Sequence, residues 1–266
     1  MKGKLSQQVL DELDKVGELS QYLWQREWAE RNGGNISIDL TDIFGELDCE
    51  CEYKPLPLQL PKSCAGRIYF VKGTGQRIRE LRDPAYAGCI LRVNDQANAF
   101  QVVWGGKASN DFAPTSEFIS HIKILESKRM AGSDHKAVIH THPLELIAMS
   151  HHKDVVASSD LYTYTCWKML PEVRAFVPRG IGVIPYALPS SEELADGTTA
   201  ALLKHDVAIW EKHGATASGA DVLQAFDFID VANKGAKLYL MCKASGFEPE
   251  GVSQKNMDIL KDVFNL

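Results

Sequence analysis

The chain has 266 residues, a length that fits one large α/β domain or two small ones. Hydrophobic residues make up 45% and charged residues 24% of the sequence, values that are ordinary for a soluble globular protein. The formal net charge of -6 argues against nucleic acid as a partner, because domains that bind a phosphate backbone usually carry a basic surface.

The first third of the chain predicts a helix, a strand and a long connection. Apolar side chains recur at helical spacing over residues 6–30, and we expect this helix to stop at Asn32-Gly33-Gly34-Asn35, where the backbone can turn left-handed. Residues 36–40 alternate as a strand does. Residues 45–65 show no clear period and predict a surface connection.

The middle of the chain predicts a meander and then a helix. Residues 67–72 form a strand that ends at the turn Gly73-Thr74-Gly75, and two further strands follow near residues 89–93 and 99–104. Thr115 or Ser116 is a suitable N-cap for a helix that runs to about Met130, with Glu117 in its first turn.

The second half mixes short strands with helices. Residues 137–142 predict a strand closed by Pro143, with a short helix after it. Further strands are expected at 175–177, 181–184 and 207–210. Asp221 precedes a long helix that reaches about Cys242, and a short helix ends the chain. This pattern predicts one α/β domain around a mostly antiparallel or mixed sheet.

The six cysteines predict free thiols in a reducing cytosol, because the chain has no C-x-x-C pair, no signal-peptide pattern and no need of disulfides. Cys49-Glu50-Cys51 has poor spacing for a structural zinc site. No apolar run approaches the ~20 residues of a membrane span. We therefore expect a cytoplasmic protein with no membrane partner.

His140 and His142 form an H-x-H pair at the end of a predicted strand. Residues two apart on a strand point to the same face, so both imidazoles can reach one ion. A pair of structural histidines held by hydrogen bonds is the other interpretation. The apolar strand before the pair and Pro143 after it favour a metal site.

A catalytic zinc typically takes three protein ligands and keeps one position open. His213, which follows an apolar stretch and precedes Gly214, is a candidate for the third ligand, and an acidic group is another. Glu117 is the main candidate carboxylate, because backbone donors at a helix start would position it. Residues 115–117 also fit a well-capped helix start without any catalytic role.

Two glycine-containing segments are candidates for binding phosphate. Asn32-Gly33-Gly34-Asn35 and Gly73-Thr74-Gly75 each follow a regular element and can present backbone N–H groups to an anion. Most such turns only bend the chain, and neither segment matches a dinucleotide or Walker motif.

Taken in order, these segments resemble those of the class II sugar-phosphate aldolases, a group that also contains ribulose-5-phosphate epimerases. The resemblance covers nearly the whole chain, including residues 102–105 and 177–182. Five segments carry it: Arg31-Asn32-Gly33-Gly34-Asn35, Gly73-Thr74-Gly75, Pro114-Thr115-Ser116-Glu117, His140-Thr141-His142-Pro143 and His213-Gly214.

The resemblance implies a role for each matching position. One Zn²⁺ per subunit would be bound by His140, His142 and His213, and Glu117 would be the catalytic carboxylate. Glu172 corresponds to a second acid that such enzymes insert from a neighbouring subunit. The substrate phosphate would lie among Asn32, Gly34, Asn35, Thr74, Gly75, Thr115 and Ser116, with Thr74 in the place of the relatives' serine.

The resemblance also implies a fold, an assembly and a reaction. We expect a single three-layer α/β/α domain over residues 1–266, around a mixed, mostly antiparallel sheet, and a homotetramer. Within the family, the chain looks most like the enzymes that cleave L-rhamnulose 1-phosphate to dihydroxyacetone phosphate and L-lactaldehyde, a step of rhamnose catabolism.

Other functions on the same scaffold stay open at this point. They are cleavage of fuculose 1-phosphate, 4-epimerisation of a phosphopentose, and dehydration of a sugar. A different class is the non-catalytic interaction module, as in adducin heads, which have lost the metal ligands. Bound zinc in the purified protein separates that class from the enzymes.

Overall fold

The computed structural model describes residues 5–45 and 52–266, which fall into two compact units. The first comprises Met1–Thr141 and Ser218–Leu223, and the second comprises His142–Ala217 and Gln224–Leu266. The expectation of one domain over residues 1–266 stays a prediction. The Cys49-Glu50-Cys51 segment lies outside the described residues.

Among its described residues, the first unit holds six strands in full. Neighbouring strands with a determined register are antiparallel, and their lateral order is β2-β5-β4-β3-β1-β6. The predicted meander is therefore confirmed as β3, β4 and β5. The strands are β1 (Asn35–Asp39), β2 (Lys54–Pro55), β3 (Ile68–Lys72), β4 (Gly88–Val93), β5 (Ala99–Gly105) and β6 (Ala137–Thr141).

The helices that lie wholly within the described part of the first unit are α1 (Gln7–Gln25), α2 (Pro84–Ala87) and α3 (Phe118–Met130), with 3₁₀ turns at Lys62–Cys64 and Ile78–Arg82. Helix α1 ends about five residues before the predicted end. Glu27 takes a left-handed conformation, and the N–H groups of Glu27 and Trp28 donate to the carbonyls of Trp24 and Leu23. This pair of bonds is a Schellman motif, which ends the helix before the glycines.

Strand β1 is buried on both faces, and its polar residues have partners inside the protein. Ser37 Oγ lies 2.8 Å from His121 Nδ1, and Asp39 accepts a hydrogen bond from the Arg67 guanidinium. The alternation of polar and apolar residues in β1 therefore does not mark an exposed face. His121 itself is fully buried in α3.

The second unit alternates helices and strands. Strands β7 and β8 are parallel, whereas β8 and β9 are antiparallel. The elements are α4 (Leu144–Met149), α5 (Ser159–Trp167), α6 (Pro171–Phe176), β7 (Ile181–Ile184), α7 (Glu192–Lys204), β8 (Val207–Trp210), β9 (Gly214–Gly219), α8 (Val222–Ala244) and α9 (Gln254–Phe264). The last two residues of β9 and the start of α8 belong to the first unit.

The expected α/β class with a mixed, mostly antiparallel sheet is confirmed, but one predicted strand is wrong. Residues 175–177 cover the end of α6, because Pro171 starts a helix at its first position and the Val177 N–H donates back to the Val173 carbonyl. Helix α7 and strand β9 were not among the predicted elements.

Two further expectations concern cysteines and membranes. Of the cysteines in the described ranges, Cys64, Cys89, Cys166 and Cys242 are free thiols. Within those ranges, no helix combines the length and the apolar character needed to cross a membrane.

A buried hydrogen bond between α7 and β8 yields a stability prediction. Thr198 Oγ1 donates to the Leu194 carbonyl and accepts the indole N–H of Trp210 at 2.7 Å. Thr198→Val removes the acceptor from a buried N–H, so we expect the free energy of unfolding to fall by about 1–3 kcal/mol in urea titrations.

Thr199→Val is the matched control, because the Thr199 hydroxyl donates only to the Ala195 carbonyl one turn back. We expect a change within about 0.5 kcal/mol for this variant. Equal losses in the two variants would show that the bond to Trp210 contributes nothing.

Candidate active site

Strand register places predicted phosphate-binding residues beside a predicted metal ligand. Strands β1 and β6 are antiparallel, and Asn35 at the start of β1 pairs with His140 near the end of β6. Strand β3 pairs with the other side of β1, with Ser37 opposite Val71. The start of β1 and the ends of β3 and β6 therefore meet at one edge of the sheet.

Residues 113–115 pair with the segment that follows the end of β3. The Thr115 N–H donates to the Lys72 carbonyl and the Thr74 N–H donates to the Ala113 carbonyl, both at 2.9 Å. Gly73 and Pro114 form an isolated antiparallel bridge between these two bonds. Two predicted phosphate-binding segments, 74–75 and 115–116, are thus held side by side.

The Thr115 side chain links the remaining predicted phosphate-binding segment, residues 32–35, to Glu117. Its hydroxyl donates to Asn35 Oδ1 and accepts the Glu117 backbone N–H at 3.3 Å. Asn35, Thr115 and Glu117 are all buried. The hydroxyl group of Thr115 therefore fixes the start of β1 and the turn before α3 in a single arrangement.

Glu117 occupies the N-cap position of α3 rather than the predicted first turn. Residues 116–117 form a turn, Thr115 accepts the Phe118 N–H, and the helix proper starts at Phe118. The Glu117 side chain makes no capping bond, and one carboxylate oxygen lies 3.5 Å from Ser120 Oγ. The carboxylate is buried, and it does not cap its own helix.

Gly34 is required by both conformation and space. Its φ is +76°, and an added Cβ would lie 3.1 Å from the His140 carbonyl oxygen and 3.3 Å from the Ile78 side chain. A glycine here lets the turn after α1 approach β6 closely.

The exposed members of the predicted phosphate set lie on turns, whereas the buried members lie at the start of β1, just before it, or just before the turn at residues 116–117. Asn32, Thr74, Gly75 and Ser116 are exposed, whereas Gly34, Asn35 and Thr115 are buried. Exposed hydroxyls, amides and backbone N–H groups on turns that are fixed by buried neighbours suit the binding of a small anion.

Three histidines form a group that fits a metal ion. One ring nitrogen from each of His140, His142 and His213 lies within 4.8 Å of the others. The rings of His142 and His213 have centroids 5.5 Å apart and are tilted by 50°, so they converge instead of stacking. The structure brings all three predicted ligands together.

Local structure positions His142 and His213. His142 follows the last residue of β6 and is followed by Pro143, which precedes α4. His213 lies in a turn between β8 and β9. There Lys212 is left-handed (φ +62°) and donates its N–H to Ser150 Oγ, and the His213 N–H donates to the Trp210 carbonyl. The Trp210 ring contacts that of His213 with centroids 5.0 Å apart.

The chemistry of this donor set suits a catalytic divalent ion. Three neutral imidazoles are the ligands that zinc takes in many catalytic sites, which keep another position open for substrate. His140 is buried, whereas His142 and His213 are only partly covered. A metal held here would be anchored from the interior and reachable from solvent.

The structure does not place Glu172 in this group. It lies in the first turn of α6, is exposed, and is not a member of the histidine cluster. Its implied role needs a neighbouring subunit, so that role stays a prediction.

One buried cation escaped the sequence analysis. Lys72, the last residue of β3, is 1% exposed and donates from Nζ to the Asn32 carbonyl at 3.0 Å. Burial lowers the pKa of the Lys72 ammonium to about 8. A lysine at the end of a strand predicts an exposed charge. The one signal in the sequence for a buried role is that Lys72 directly precedes the Gly73-Thr74-Gly75 segment.

Comparisons with known proteins agree with this geometry. The family described as Class II Aldolase and Adducin N-terminal domain matches residues 14–240. Rhamnulose-1-phosphate aldolase of Bacteroides thetaiotaomicron is 43% identical over 96% of this chain and 94% of its own length, and that of Listeria welshimeri is 30% identical over 92% and 87%. The crystal structure of a sugar-phosphate aldolase from Thermotoga maritima superposes with a TM-score of 0.79 at 26% identity, covering 92% of this chain and all of that one.

Removal of one cluster member tests the metal site. We expect His142→Ala to lose most of its bound divalent metal in elemental analysis, because two imidazoles hold the ion far more weakly than three. His151→Ala, which changes an exposed histidine outside the cluster, should keep the metal content of the unmodified protein. A full metal complement in His142→Ala would remove His142 from the ligand set.

Proposed function

Because the chain belongs to the class II aldolase and adducin N-terminal domain family, we propose that it is a metal-dependent lyase that cleaves L-rhamnulose 1-phosphate into dihydroxyacetone phosphate and L-lactaldehyde. The observation that carries the proposal is the histidine cluster, in a chain 43% identical to a protein named rhamnulose-1-phosphate aldolase. A non-catalytic head would have no need of three converging imidazoles.

The metal is assigned to His140, His142 and His213, and we propose that it is zinc, one ion per subunit. When bound, a divalent ion supplies a Lewis acid that stabilises the negative charge developing on the ketone half of the substrate. The three imidazoles are neutral ligands, so they leave the positive charge of the ion available to the substrate.

Glu117 is proposed as the acid/base. In the direction of synthesis its carboxylate takes a proton from the hydroxymethyl carbon of dihydroxyacetone phosphate, and in cleavage it returns that proton to the same carbon. Its burial and its place at the start of α3, where its side chain does not cap the helix, support this role. The turn of Thr115 and Ser116 fixes its backbone, so the carboxylate need not reorganise during proton transfer.

The phosphate is proposed to bind among Asn32, Gly34, Asn35, Thr74, Gly75, Thr115 and Ser116. Exposed polar groups on three turns would contact the phosphate oxygens, and the buried residues hold those turns in place. The phosphate group does not react. Its binding holds the reacting carbon near Glu117, and part of the binding energy thereby increases the rate of the reaction.

The assembly and the compartment are also proposals. Glu172 is assigned to the proton on the C4 oxygen in the site of a neighbouring subunit, within a homotetramer. The exposure of Glu172 in the monomer supports a contact of this kind. The free thiols of the described residues fit a reducing cytoplasm.

The proposed reaction is tested by the release of dihydroxyacetone phosphate, coupled to its reduction by a dehydrogenase. We expect release from L-rhamnulose 1-phosphate, loss of activity on treatment with a chelator, and recovery with added zinc. Glu117→Gln should keep its metal and lose roughly 10²–10⁴ in turnover, because it cannot exchange the proton.

Glu193→Gln is the matched control, since it changes an exposed glutamate in the first turn of α7. L-Fuculose 1-phosphate belongs in the same assay, and L-ribulose 5-phosphate is tested separately for conversion to its C4 epimer. Faster turnover of either would reassign the substrate within the family, and full activity of Glu117→Gln would remove that residue from catalysis.

The role of Glu172 across subunits predicts complementation. We expect Glu172→Gln and Glu117→Gln to be poorly active alone, and activity to return when the two are unfolded and refolded as a mixture. Mixed assemblies contain sites with an intact Glu117 from one chain and an intact Glu172 from another. If the mixture is no more active than its components, Glu172 does not act across an interface.

A further inference from the structure

Lys72 connects the segments proposed to bind phosphate. Its side chain donates to the Asn32 carbonyl, and its own carbonyl accepts the Thr115 N–H. The next residue along the chain, Gly73, is bridged to Pro114. One residue thus contacts the turn after α1, precedes the turn after β3, and pairs with the segment before Glu117.

The ammonium is buried without a close counter-ion. No acidic group of residues 5–45 and 52–266 lies within 4 Å of Nζ, and Glu80 acts on it only as a more distant negative charge. The other titratable group that faces it is His121, whose pKa is lowered to about 3 by burial and by the Lys72 charge. His121 is therefore neutral and leaves the positive charge of Lys72 uncompensated.

An uncompensated buried charge costs free energy, so it calls for an explanation beyond packing. Methionine has a similar length and would fill the same space at no electrostatic cost. The Lys72 charge lies beneath three turns that are proposed to bind an anion. A bound phosphate dianion would compensate this charge, which explains why a lysine is kept there.

We propose that Lys72 is a positioning residue of the phosphate subsite, whose ammonium fixes the Asn32 turn through its carbonyl and attracts the dianion from below. This inference rests on the proposed function, because it assigns a role within the same subsite. Lys72 does not need to touch the phosphate, since its charge acts through the turn that it holds.

The experiment measures the affinity of the metal-loaded protein for inorganic phosphate by titration calorimetry. We expect Lys72→Met to bind phosphate at least about tenfold more weakly at pH 7.5, because the attraction of a nearby buried charge is lost. Lys107→Met removes an exposed lysine of the same unit and should bind phosphate as the unmodified protein does.

The dependence on pH separates this role from a structural one. Above pH 8 the Lys72 ammonium of the free protein loses its proton, so phosphate affinity should fall as the pH rises from 8 to 9.5. Phosphate stays a dianion over this range, and Lys72→Met should show a flatter profile. If the variant does not fold, the fall in phosphate affinity between pH 8 and 9.5 can still be measured on the unmodified protein.

Stability provides a second readout. The pKa of Lys72 is lower in the folded protein than in the unfolded chain, so its cost to stability is fully present below pH 8 and is relieved as the pH rises towards 10.5. Without phosphate at pH 7.5, Lys72→Met should therefore melt no lower than the unmodified protein.

The outcomes separate the inference from the proposed function. Equal phosphate affinity in Lys72→Met and the unmodified protein, or no phosphate binding at all, overturns the role of Lys72. A lower melting temperature of the variant with unchanged affinity does the same and assigns a structural role. Because phosphate binding is measured without the sugar, failure to cleave rhamnulose 1-phosphate bears on the proposed function and not on Lys72.

Discussion

The antiparallel pairing of β1 with β6 is the constraint on which the site depends. It sets Asn35 directly opposite His140, and so places a residue of the proposed phosphate subsite beside a proposed metal ligand. A shift of β1 by one residue would move its side chains to the other face of the sheet. The register is maintained by β1, which is buried on both faces and anchored by Ser37 and Asp39.

The proposed site divides its tasks between two sets of segments. The proposed metal ligands lie at a strand end or in tight turns next to buried residues, as His213 does beside Trp210. The proposed phosphate contacts come from turns that buried groups such as Thr115 and Lys72 hold in place. A sugar phosphate can then be oriented by its unreactive end while the charge that develops at the ketone is stabilised elsewhere in the site.

Much of this could be predicted because the signals are local. The strand before His140 is apolar and ends at a proline, and the meander of β3 to β5 has clear turns. By contrast, β9 is built from small residues, Gly214–Gly219, that carry no strand preference of their own and form a strand by pairing with β8. Residues 175–177 contain strand-forming side chains, yet Pro171 starts a helix that runs into them.

Other features depend on contacts between distant residues, which a single sequence does not reveal. The burial of Lys72 and His121 follows from how β3, α3 and the Asn32 turn pack, and both residue types are usually exposed or partly exposed. The choice of His213 as third ligand came from the family resemblance, since the residues alone left an acidic ligand open. Its position in one group with His140 and His142 confirms that they lie together.

The most direct test of the account is X-ray absorption at the zinc edge on the purified protein, with the metal content measured on the same sample. We predict one zinc per chain, coordinated by three imidazole nitrogens at about 2.0–2.1 Å with light atoms completing the shell. Sulfur ligands, a single imidazole, or zinc well below one per chain after growth in zinc would contradict it.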